Sequence, residues 1–137
     1  MSMNIRRIFY YHLRVRDQPG EIHKRLTQLK ELGVRLVAFA AFPEGPAHTR
    51  ITLFPDDASV FSYEAGRAGM KLEGPHPALL VQGVDELGAL EEIHKKLFEA
   101  KVNVHASAGA VDGKGGYGYV LYVSPEQYEA AIEALGL

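Results

Sequence analysis

The stretch Arg16-Asp17-Gln18-Pro19-Gly20-Glu21-Ile22 decides how this chain folds. Upstream of it, Ile8 to Val15 alternates. Tyr11, Leu13 and Val15 lie on one side and Tyr10, His12 and Arg14 on the other, the period of two that marks a half-buried strand. Downstream, Ile22, Leu26, Leu29 and Leu32 recur at helical spacing, with Lys24, Arg25, Gln28 and Lys30 outside. The Pro-Gly pair is therefore a strand-to-helix turn. Pro19 is predicted at the first helical position, where its missing N–H costs nothing, and Gly33 is predicted to close the helix in the left-handed conformation.

Working outward, Val34 to Phe42 reads as a second strand, Pro43-Glu44-Gly45-Pro46 as a turn and Thr49 to Phe54 as a third strand. Pro55-Asp56-Asp57 starts a helix carrying Val60, Phe61, Ala65 and Ala68, and Met70 to Glu73 has room for a short strand. Gly74-Pro75-His76-Pro77 reads as a linker. The order then repeats. Ala78 to Gln82 is a strand, Val84-Asp85-Glu86-Leu87-Gly88-Ala89-Leu90 is the same kind of turn, and a helix follows through Leu90, Ile93, Leu97 and Ala100. Strands at Val102 to Val111 and Tyr117 to Val123 flank the glycine-rich turn Asp112 to Gly116. A last helix starts at Ser124-Pro125-Glu126, with Ser124 as its expected N-cap, and buries Tyr128, Ala131, Ile132 and Leu135.

One constant offset of 68 residues superposes the halves: Asp17 falls on Asp85, Gly20 on Gly88, Leu29 on Leu97, Ile51 on Tyr119 and Leu53 on Leu121. A match of a whole element order at one offset is an internal duplication. Each copy reads β-α-β-β-α, and the first adds a short strand. The expected class is α+β: two tandem ferredoxin-like βαββαβ copies, 1–74 and 75–137, with antiparallel sheets and helices on one face. The second copy lacks its final strand, because the counterpart of Lys71 would lie beyond Leu137. Its open sheet edge needs cover, from Met3 to Arg7 or from a second chain.

Composition narrows the functional classes. The 137 residues are 47% hydrophobic with a net charge of −2, and the Lys and Arg side chains are scattered, so no electrostatic footprint for nucleic acid is present. No stretch approaches the ~20 apolar residues that span a membrane, and a soluble, cytoplasmic protein is expected. With no cysteine there are no disulfides and no thiolate ligands. The six histidines form no i, i+4 pair and have no acidic partner at ligand spacing, so neither a metal nor another cofactor is expected. No nucleophile–base pair stands out, which ranks a small ferredoxin-like enzyme last.

A strand followed by Asp17-Gln18-Pro19-Gly20-Glu21-Ile22, and again by Asp85-Glu86-Leu87-Gly88-Ala89-Leu90 with Val102-Asn103-Val104 after the helix, resembles the ACT domain in tandem. That resemblance implies a regulatory protein, not an enzyme, that binds an amino acid or related metabolite, pairs as a homodimer and acts through a regulated enzyme partner. It places the ligand against the two loops, Asp17 to Ile22 and Asp85 to Leu90, with Asn103 as the second-strand contact. Arg35 stands at the Asn103 position of the first copy, and Leu87 at the position of Pro19 in the second. The physics of the loops agrees: a helix start presents unpaired N–H groups and the positive end of its dipole, and glycine lets a ligand approach the backbone.

Each feature also has a plainer reading. Gly20 and Gly88 relieve crowding where helix leaves strand, and Asp17 and Asp85 are helix caps before they are ligand contacts. Gly113-Lys114-Gly115-Gly116 sits between two strands and reads as a hairpin turn, not a phosphate cradle. Asp56-Asp57 is a helix start. A structural or protein-interaction module on the same fold is the alternative to the sensor.

Overall fold

The computed structural model describes residues 3–137. Six strands and four helices alternate as β1 (Met3–Arg16), α1 (Glu21–Glu31), β2 (Leu36–Glu44), β3 (His48–Pro55), α2 (Ala58–Arg67), β4 (Glu73–Val84), α3 (Ala89–Glu99), β5 (Val104–Val111), β6 (Gly116–Val123) and α4 (Tyr128–Leu135). Hydrogen-bonded neighbours run β2-β3-β1-β4-β6-β5. The ladders β1–β3, β2–β3, β4–β6 and β5–β6 are antiparallel. The α+β class and the ferredoxin-like units expected from the sequence are what forms.

The chain divides into two compact units, one of Phe9–His76 and one of Pro77–Leu137 together with Met3–Ile8. In the first, the inward side chains of the strands, Tyr11, Leu13, Val15, Ile51 and Leu53, meet Leu29 of α1 and Phe61 and Ala65 of α2. In the second, Leu79, Val81, Tyr119 and Leu121 meet Ile93 and Leu97 of α3 and Ala131, Ile132 and Leu135 of α4. Both helices of a unit thus cover one sheet face. Each fully buried Leu or Ile contributes roughly 1.5–3 kcal/mol, so these clusters hold the units together.

The duplication holds in backbone detail. Tyr11 pairs with Leu53 and Leu79 with Leu121; Arg16 pairs with His48 and Val84 with Gly116. Both hairpins carry a register shift at the same place, between Leu36 and Ala38 and between Val104 and Ala106. The residue that ends the first helix in the left-handed region is Gly33, at φ 73°, as predicted; its counterpart is Lys101, at φ 60°.

Met3–Ile8 supplies the cover that the second copy needs. β1 is the hydrogen-bonded neighbour of β4, Ile5 is buried in the core of the second unit, and Met3 packs against that core. Arg7 pairs with Glu129 of α4 at 2.8 Å.

Several local expectations fail. Gly74-Pro75-His76-Pro77 does hold the boundary between the two units, but it is no irregular linker: it is the first part of β4. The ladder to β6 begins only at Leu79, so the prolines' missing N–H groups are no loss on that side. Gly74 is required there, since a Cβ would lie 2.8 Å from the Tyr10 carbonyl oxygen. Pro19 is not the first helical residue; Gly20 is the N-cap, at φ 89°, and α1 starts at Glu21. Ser124 caps no α-helix, because Pro125–Gln127 forms a 3₁₀ turn and α4 begins after it. Asp57 alone caps α2, accepting from the N–H groups of Ser59 and Val60. The Ser59 hydroxyl and then those N–H groups hold its carboxyl below the ordinary range. On α1 only Leu29 is buried, and on α3 Leu90 is exposed while Ala89 takes the inward position.

Candidate functional site

The site is built at the start of α3. The N–H of Asp85 donates to the Gly115 carbonyl at 2.9 Å, tying the loop to the β5–β6 turn. The same bond joins Asp17 to Ala47 in the first copy. The carboxyl of Asp112 accepts from the N–H groups of Lys114 and Gly116, so the glycine-rich stretch is the hairpin turn expected. Those two bonds hold the Asp112 carboxyl below its ordinary value.

Gly88 then turns the chain at φ 84°, and no side chain caps the helix. Asp17 and Asp85 are therefore not caps in either copy: the left-handed glycine occupies the capping position and has no oxygen to offer. The N–H of Ala89 bonds the Glu86 carbonyl at 3.1 Å. Leu90 and Glu91 are the next two residues, whose N–H groups a helix cannot pair internally.

A hollow of about 810 Å³ opens against this helix start. Asp85, Glu86, Leu87, Gly88, Ala89 and Leu90 line it, joined by Glu91. All six loop residues expected from the second copy are thus brought to one place. The opposite wall is made of small residues, Gly109 and Ala110 of β5 and Gly118 of β6, with Val111 and Tyr117. Gly109 has no room for a side chain, since a Cβ would meet the Tyr119 ring at 2.7 Å. The first copy carries Ala41, Phe42 and Arg50 at the positions of Gly109, Ala110 and Gly118. The second copy has the small residues that open a wall, and the first has large ones at two of the three positions.

Tyr117 is the residue that sequence reasoning missed. It is 8% exposed, and its hydroxyl is buried without a hydrogen-bond partner while the residue lines the hollow. Burial, and then the Glu86 carboxylate, pushes that hydroxyl above its ordinary value. Its first-copy counterpart is Thr49, so a signal existed: a strand tyrosine with no equivalent in the repeat.

Asn103 does not join this group. It precedes β5 and lines a separate hollow, and its backbone N–H donates to Oε1 of Gln127. In the first copy, Asp17, Gln18, Pro19 and Gly20 are exposed, and Glu21 and Ile22 are half-buried. No cluster of three or more His, Asp or Glu side chains among the described residues is placed to hold a metal, and no helix among them is long and apolar enough to cross a membrane.

No family model and no curated protein matches the sequence. Solved structures do. Protein BT0572 from Bacteroides thetaiotaomicron superposes with a TM-score of 0.77 at 12% identity, over 97% of this chain and 88% of that one. The regulatory subunit of aspartate kinase from Thermus thermophilus, in its ligand-free form, gives 0.66 at 16% identity, over 97% and 93%. Aspartate kinase of Clostridium acetobutylicum, described as an allosteric enzyme, gives 0.59 at 16%, over 97% of this chain and 33% of that one. At such identities the likeness is one of fold, and the fold is the tandem ACT-like arrangement that the two turns resemble.

Proposed function

We propose that this chain is a regulatory protein without catalysis of its own, which binds an amino acid or a closely related metabolite in the hollow at the start of α3. The orphaned hydroxyl of Tyr117 carries the reading. A buried hydroxyl without a partner costs about 1–3 kcal/mol, and a ligand that hydrogen-bonds it recovers that cost. The same hollow is lined by Leu90 and Glu91, whose N–H groups the helix leaves unpaired and which suit a carboxylate, and by Asp85, Glu86 and Glu91, whose carboxylates suit an ammonium group. Opposite charges a few ångströms apart describe a zwitterion. The regulatory subunits of aspartate kinase that share the fold support a sensing role, and this chain then acts through an enzyme partner.

Homodimer formation fits the same reading. β5 ends the sheet, is exposed over nearly its whole length and carries neither Lys nor Pro, the residues that usually blunt an edge. Within the first copy, Asp17, Gln18, Pro19, Gly20, Glu21 and Ile22 form the corresponding loop, and we assign it the weaker role because the wall opposite has larger residues. Thermal unfolding in the presence of each of the twenty amino acids, at millimolar concentration, is the test. A ligand at ~100 times its dissociation constant stabilises by about 2.7 kcal/mol. A shift with at least one amino acid, cut to about half in Tyr117→Phe at the same concentration, supports the site; no shift with any of them removes the sensor reading in favour of a protein-interaction module.

A further inference from the structure

The other end of α3 carries a second, unrelated constellation. Nε2 of His94 lies 2.7 Å from the Tyr119 hydroxyl, and that hydroxyl donates to Oγ of Ser107 at 2.8 Å. Tyr119 is 7% exposed, whereas Ser107 is exposed on β5. The relay therefore runs from a half-buried imidazole, through a buried phenol, to a hydroxyl in solvent. Ser107 and His94 line a hollow of about 460 Å³ together with Asn103, His105 and Phe98.

We propose that this hollow is a second ligand site, for an oxyanion carried on an apolar body, with the Ser107 hydroxyl as the donor to the anion. Three observations converge. First, no carboxylate lines this hollow, in contrast to the three around the start of α3. Two imidazoles, an amide and a hydroxyl are its polar groups, and all of them can donate. Phe98 stands at the rim, 80% exposed, and offers a ring for the apolar part.

Second, the relay sets the polarity of Ser107. When His94 Nε2 carries the proton it donates to the Tyr119 oxygen. Tyr119 then donates to Ser107, and the Ser107 hydrogen is left to point outward. An acceptor in the hollow completes that chain of bonds, and each bond polarises the next. Third, the fold does not require the relay. The first copy has Leu26, Phe39 and Ile51 at the positions of His94, Ser107 and Tyr119. Ile51 alone of the three is buried there, and the unit packs without any polar relay at this place. A polar trio ending in an exposed hydroxyl exists for something outside the protein.

The test uses two probes with the same ring and different anions, phenylacetate and phenyl phosphate, titrated into the full chain labelled with ¹⁵N-histidine. Saturable shifts of the His94 and His105 ring signals are expected with one probe or both, and which of them binds tells carboxylate from phosphate. Ser107→Ala, at an exposed position, weakens binding by about fivefold or more. Tyr119→Phe does the same while keeping the ring that packs. Tyr117→Phe leaves the titration unchanged, so failure here and failure of the proposed amino-acid site are told apart. No shift of either imidazole up to ~10 mM probe, equal binding by Ser107→Ala, or a loss caused by Tyr117→Phe overturns the proposal.

Discussion

Tyr117 holds an unpaired hydroxyl at 8% exposure, in a wall with Gly109, Ala110, Val111 and Gly118. Removing the oxygen removes a desolvation cost and leaves the ring in place. Tyr117→Phe should therefore raise the unfolding free energy by about 1 kcal/mol, read from chemical denaturation without ligand, and weaken amino-acid binding by roughly tenfold, the equivalent of 1.4 kcal/mol. A variant that is less stable would show that the hydroxyl has a structural partner after all. His12 offers a second test at this scale. Burial, followed by the charge of Arg50, holds its imidazole below the ordinary value of 6.5. Protonation thus favours the unfolded chain. Its contribution to stability is complete above pH 6.5 and is lost as pH falls below that value. His12→Asn, which keeps a donor and acceptor toward Thr52 Oγ1, should give a flatter decline of stability below pH 6.5. Equal slopes in the two proteins would mean that His12 is not the group responsible.

Among the elements, the repeat could be read from sequence because side-chain periodicity and glycine positions survive divergence. Gly20 and Gly88 were identified as paired turn residues, and both are left-handed N-caps. What escaped depends on partners far along the chain. The Gly74-Pro75-His76-Pro77 stretch has loop composition, yet β1 holds it as a strand, and no local rule anticipates that. Tyr117 has an ordinary strand position, and only the small residues opposite it make a hollow. The resemblance places Asn103 with the Asp85 loop, and it lines the relay's hollow instead because it sits before β5, at the other end of α3. Lys101 shows what the comparison of copies adds. It holds φ 60° where the first copy has Gly33 at 73°, and a side chain in that region costs about 1–2 kcal/mol. Part of this returns as entropy lost to glycine in the unfolded chain. Lys101→Gly should thus gain about 0.5 kcal/mol in thermal or chemical unfolding, with no change in either ligand titration; a loss of stability would mean that the lysine makes a compensating contact.

At the scale of the whole molecule, the two copies do not close on themselves in sequence order. The ferredoxin-like order ends on a strand, and among the described residues no strand after α4 takes that place. Its substitute comes from the beginning of the chain: Ile5 is 8% exposed in a core otherwise built from Leu79 to Leu135. Residues 75–137 alone would therefore expose one flank of β4 and leave a gap where Ile5 packs. A strand left open along one flank and the loss of an isoleucine, itself worth roughly 2–5 kcal/mol when truncated to alanine, together exceed what so small a core can spare. The fragment 75–137 should show no cooperative unfolding transition. Appending residues 3–8 to its C-terminus through a short Gly/Ser linker restores the βαββαβ order within one chain, and that variant should unfold cooperatively and retain both hollows. A fragment 75–137 that folds as well without the appended strand would show that the N-terminal residues are an ornament on the second unit and not its missing edge.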